Sequence, residues 1–241
     1  MITNSYIIND NLDVNGRLLP FISKFDSMQD VEIATIMYVW LLNGNKDISY
    51  IADKIVNGIM DGRPSWYVLS YGSHIPYNYT EYSMWENISE TCFHNLILKI
   101  KEMICYKSGI RNSYDLYISS PRHRCKYSHD ALSLMLSGNT LFPTKSGGHT
   151  YYRYNLLMYL FAYKLKIWEG VDVSKALVPC CDAIMDLAYD CGITKRRLKS
   201  TLRGAEMLTE IAKMEYGEKD FFKLYDYIMT EYDKKRFCKK I

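Results

Sequence analysis

The sequence lacks the patterns that mark several protein classes. There is no CxxC pair, and the seven cysteines (Cys92, Cys105, Cys125, Cys180, Cys181, Cys191 and Cys238) are an odd number. A disulfide framework shows an even set at regular spacing, so reduced thiols in a cytoplasmic protein are expected. The opening MITNSYIINDNLD has no charged-then-apolar leader pattern, and no secretory signal is expected. The longest strongly apolar stretches, such as LLMYLFAY over 156–163, are far too short to span a bilayer, so no membrane partner is expected. No GxxxxGK[ST] occurs, and nucleotide-dependent kinase chemistry has no support. Repeats and low-complexity linkers are absent. Neither sign of charge dominates, and a net +3 is too small to imply a nucleic-acid partner unless the cations cluster.

What is present fits an ordinary globular chain. At 241 residues it can hold one large domain or two small ones, and its 48% apolar and 24% charged composition argues against general disorder. Tyrosine is the unusual residue, at 22 copies. Many of these rings must sit half in the core, with the hydroxyl reaching water or a partner.

The periodicity predicts helices almost throughout. SMQDVEIATIMYVWLL opens with Ser27 three residues before Asp30, a capping-box-like start, and continues as a largely apolar run suited to a buried helix. Its β-branched content is also compatible with a strand. ISYIADKIVNGIM repeats Ile48, Ile51, Ile55 and Ile59 at helical spacing, and a helix is expected over about 87–106. YYRYNLLMYLFAYKLKI is apolar nearly all round, as a central helix is. In LVPCCDAIMDLAYDCGI, Pro179 suits a first helical position and Gly192 the residue past a helix end. A further helix starts near Ser200 or Thr201, and a last one carries Phe221, Phe222, Tyr225, Ile228, Met229 and Tyr232. The expectation is an all-α protein with an N-terminal segment 1–19 and helical lobes over 20–125 and 126–241.

Three stretches carry candidate chemistry. Asp182, Asp186 and Asp190 recur every four residues on one helix, opposite an apolar stripe of Cys181, Ile184, Ala188 and Cys191. Asp182 falls in the first turn, where unpaired N–H groups favour a carboxylate by roughly 0.3–1 kcal/mol with or without a function. The acids therefore read either as a site or as a face turned to solvent or to the basic segment that follows. That segment, TKRRLKSTLR, places Lys195, Arg196, Arg197, Lys199 and Arg203 within nine residues without an acid. It suits phosphates, or it is a solvated basic linker. In KSGGHTYYR, Lys145 and Arg153 flank Gly147 and Gly148, where a backbone can approach a phosphate closely. Tyrosine-rich IPYNYTEYSMW can stack on unpaired bases or pack over a helix. Adjacent Cys180 and Cys181 have no histidine near in sequence and read as buried structural thiols rather than nucleophiles. His123, Cys125, His129 and His149 match no common zinc spacing, and Arg122, Arg124 and Lys126 would repel a cation; no metal or other cofactor is assigned.

Three blocks in order resemble an uncharacterised, mainly bacterial family, DUF2400, itself similar to the helix-hairpin-helix DNA glycosylases. DVEIATIMYVWLLNGNK resembles its D-I-E-I-A…W-G-N-R helix and turn, and RYNLLMYL its R-L-N-M-F-L-R-W helix. VDVSKALVPCCDAIMDLAYDCGITKR resembles its V-D…L-I-P-L-D-V-H-V-A-R segment. The likeness runs over roughly residues 20–235. It implies a two-lobed glycosylase-like fold, a DNA partner, and base excision or DNA modification by N-glycosidic cleavage, with Asp182 as the candidate catalytic carboxylate. The departures are specific. The family's Asp position falls on Cys181, its His on Ala183 and its Arg on Tyr159, and the hairpin glycine run survives only as KSGG over 145–148. Asp182 is one residue, about 100° of helix, from the family's slot. These substitutions leave open a non-catalytic DNA- or protein-binding module on the same scaffold.

Overall fold

A computed structural model of the protein describes residues 18–42, 48–71, 90–138, 142 and 151–238. All regular structure among them is helical, with no strand. The chain divides into two compact units, one within Asn9–Cys125 and Asp130–Thr144, the other within Lys126–His129 and Lys145–Ile241. The helices are α1 (Leu19–Ile22), α2 (Met28–Leu41), α3 (Ile48–Asp53), α4 (Pro64–Ser70), α5 (Glu90–Tyr106), α6 (Ile110–Ser119), α7 (Ser128–Leu136), α8 (Tyr152–Met158), α9 (Asp182–Asp190), α10 (Leu202–Tyr216) and α11 (Lys223–Cys238). No helix among the described residues is long and apolar enough to cross a membrane.

The first unit is built round α2, whose residues from Glu32 to Leu41 are all buried. Burial on every side explains why this run has no amphipathic stripe, and it resolves the strand alternative in favour of helix. Ser27 caps it, its Oγ accepting from Asp30 N at 3.2 Å. Asp30 serves a second helix: its carboxylate accepts from Ser65 N at 2.6 Å, in the first turn of α4. The N-cap of α4, Arg63, makes no side-chain cap of its own, so Asp30 satisfies an N–H that would otherwise lack a partner. Trp40 packs on Phe93 of α5, with ring centroids 6.0 Å apart.

The second unit centres on α8, which is buried from Tyr154 onward and continues as a π-helical segment over Tyr159–Lys164. The sequence pattern predicts one uninterrupted α-helix here; the wider π winding of its second half is not legible from apolar spacing. Pro179 also departs from expectation. It lies three residues ahead of α9, in the extended and buried run 176–180, and Cys181 is the N-cap. A buried extended run with no sheet partner has few acceptors for its N–H groups, and proline brings none. The Val178 N–H in the same run is taken by Thr209 Oγ1 at 2.9 Å, and that hydroxyl donates to the Ala205 carbonyl at 2.7 Å. Gly192 behaves as expected: at φ +73° it ends α9, and the N–H of Ile193 returns to the Ala188 carbonyl at 2.9 Å. In α11 and the turn before it, Phe221, Phe222, Tyr225 and Ile228 are fully buried.

Candidate nucleic-acid interface

Residues 194–201, which carry most of the basic cluster, connect α9 to α10 and are fixed at three points. At the start, the N–H groups of Ile193 and Thr194 both reach the Ala188 carbonyl, at 2.9 and 3.3 Å. In the middle, Arg197 folds back on α9, 3.7 Å from Asp186 and 3.9 Å from Asp190, with its guanidinium 5.4 Å from the centroid of Tyr189. At the end, Ser200 Oγ donates to Asp182 Oδ1. The acidic stripe therefore faces the basic segment.

The physical logic is local. Three carboxylates at four-residue spacing repel one another, and Asp190 sits at the helix end whose dipole disfavours an anion. One guanidinium placed between Asp186 and Asp190 offsets both penalties.

Gly204 anchors the far side. A Cβ at this position would lie 2.1 Å from the Lys199 carbonyl oxygen, so only glycine lets the connection pack onto the first turn of α10. Thr201 then caps α10, its side chain accepting from Gly204 N at 3.2 Å.

With Arg197 engaged, Lys195, Arg196 and Lys199 are exposed and have no ion-pair partner among the described residues. Arg203 is exposed in the first turn of α10 and lies near Glu206. Glu206 is itself held by Tyr127 Oη, which donates to it, and by Lys126 Nζ at 3.3 Å. The Tyr127 hydrogen bond pulls the Glu206 carboxyl below its ordinary value, and burial pushes the Tyr127 phenol up. The residues next to Tyr127 form an aromatic stack. His129 is sandwiched between Tyr127 and Tyr151, with centroids at 5.2 and 4.5 Å.

The remaining candidates fall as follows. Asp182 is exposed at the first position of α9. Arg153 is half-buried in α8, and burial lowers the pKa of its guanidinium. Lys145, Gly147 and Gly148 lie outside the described residues, as do the tyrosines of 75–85 and His149. Burial pushes the Cys180 and Cys181 thiols up, so neither is a ready nucleophile at neutral pH. No group of three or more metal-ligating side chains gathers among the described residues.

Sequence reasoning missed Ser200 as the partner of Asp182, and Glu206 as the partner of Lys126 and Tyr127. It also missed Gly204, because a single glycine in a helical pattern does not by itself announce a close approach. No family model matches the chain, and neither does any curated protein or solved structure compared with it.

Proposed function

We propose that this protein binds the phosphate backbone of DNA through the α9–α10 connection, on a helical scaffold resembling the helix-hairpin-helix glycosylases. The observation that carries the reading is the division of labour within the cluster. Arg197 holds the segment to α9, and Lys195, Arg196, Lys199 and Arg203 stay exposed on a backbone anchored at both ends. Such a preordered row of cations neutralises phosphates at low entropic cost and releases counterions. Fluorescence anisotropy of a labelled duplex across a salt series tests this. Binding should weaken steeply with salt, and each of Lys195→Ala, Arg196→Ala and Lys199→Ala should reduce the slope by about 0.9. Absence of binding at low salt removes the reading and leaves a protein-partner role.

A second reading adds base chemistry, and the position of Asp182 favours it. Its carboxylate opens α9 and takes a hydrogen bond from Ser200 at the end of the basic segment. A carboxylate next to a phosphate-binding segment can stabilise the positive charge that grows on a sugar as its base departs. The resemblance supplies the reaction class, N-glycosidic cleavage on a flipped nucleotide. Incubation with DNA bearing diverse modified bases should yield free base or an abasic site, and Asp182→Asn should abolish that yield. Turnover unchanged by Asp182→Asn removes the carboxylate from the chemistry.

A further inference from the structure

The second unit contains a cavity of about 490 Å³ whose lining includes Tyr163, Val171, Asp172, Glu218, Lys219 and Phe222. Its size is in the range that encloses small organic molecules. None of its residues belongs to the basic segment, so it is separate from the DNA-binding reading.

One part of the lining is aromatic and held in place. The rings of Tyr163 and Phe222 lie 5.9 Å apart at 46°. Phe222 packs on Phe221 with centroids at 4.3 Å, and both Tyr163 and Phe222 contact the ring of Tyr159, at 5.8 and 5.7 Å. Tyr163 stands in the π-helical segment and shares Asp226 with its neighbours: Tyr159 donates to Asp226 Oδ1, as does Lys164 Nζ at 3.2 Å. π-Helical turns are rare and concentrate at functional sites.

The charges of the lining do not cancel evenly. Asp172 Oδ1 accepts from Ser174 N at 2.9 Å, with Lys175 and Lys213 nearby. Glu218 is paired with Lys213 at 3.1 Å, and Lys213 also holds the Ser174 carbonyl at 3.3 Å. Both acids therefore have cationic neighbours already. Lys219 is exposed and has no ion-pair partner among the described residues. The charge left to meet a ligand is positive.

We infer that this cavity binds a small planar aromatic anion, its ring against Tyr163, which Phe222 backs from within the core, and its negative group toward Lys219. An aromatic carboxylate and a mononucleotide share that chemistry.

The test is an NMR titration of the full chain with naphthoate, with neutral naphthamide and with cyclohexanecarboxylate, which has the charge without an aromatic ring. Naphthoate should shift the ring signals of Tyr163 and bind about fivefold tighter than naphthamide, the order an exposed ion pair carries. Lys219→Ala, at an exposed position, should remove that advantage and leave naphthamide binding unchanged. Val171→Trp, which fills the cavity, should weaken both. Displacement of naphthoate by adenosine monophosphate supports the inference with a nucleotide as occupant, and displacement by indoleacetate supports it with an aromatic acid. Equal affinity for naphthoate and naphthamide, or for naphthoate and cyclohexanecarboxylate, overturns it. So does naphthoate binding that Lys219→Ala leaves unaltered.

Discussion

The guanidinium of Arg197 lies 3.7 Å from the carboxylate of Asp186, although both belong to runs of like charge. Each run supplies what the other lacks. The acidic stripe of α9 gains a counter-charge, and the basic segment gains a fixed path across the helix.

Arg197 is accordingly a positioning residue within a cluster of binding residues. Arg197→Ala should speed amide exchange across residues 195–200, and it should cost at most about 1 kcal/mol of global stability, because the pair is partly exposed. Lys195→Ala should leave both quantities unchanged. Equal exchange in the two variants would mean that the segment holds its shape without the Arg197 contact.

Gly204 offers a test in which the sign is informative. In an exposed helix interior, Gly→Ala stabilises by about 1 kcal/mol. Here the added Cβ meets the Lys199 carbonyl oxygen at 2.1 Å, so Gly204→Ala must displace the end of the basic segment. The expected result is a lower melting temperature, equivalent to about 1–3 kcal/mol. A raised melting temperature would show that the close approach is absent.

Glu206 links the segment before α7 to α10, and its titration reports that link. Its carboxyl is held below the ordinary value, chiefly by the hydroxyl of Tyr127. A carboxyl depressed in the folded state contributes stability that is fully present above its unfolded value, about 4.3, and is lost as pH falls through the folded value. Tyr127→Phe should raise the Glu206 pKa in an NMR titration. The stability difference between wild type and variant should be present at neutral pH and vanish in acid. An unshifted Glu206 pKa would contradict the assignment.

Much of the fold is legible in the sequence because it rests on local signals. The Ser27 cap, the all-round apolar run of α2 and the Gly192 terminator each follow from spacing and residue type, and of the positions Ala205, Leu208, Ile211 and Ala212 that helical spacing turns inward in α10 all but the half-buried Ile211 are in the core. What could not be read depends on contacts distant along the chain. Asp30 caps α4 as well as standing in the first turn of α2, and nothing in either stretch announces it. Pro179 satisfies two local readings, a helix start and a buried extended run, and tertiary packing chooses the second. The site shows the same division. The positions of the charges are plain from TKRRLKSTLR, but which cation folds back along the surface of α9 is decided by the spacing of Asp186 and Asp190 across a turn.

The most direct measurement is the slope of log affinity against log salt for a DNA duplex, comparing wild type with the combined Lys195→Ala, Arg196→Ala and Lys199→Ala variant. If these three side chains each neutralise a phosphate, the slope should shrink by about 2.7 while the melting temperature is retained. A slope that stays the same in the variant, or a wild-type protein that leaves DNA unbound at low salt, would contradict the account.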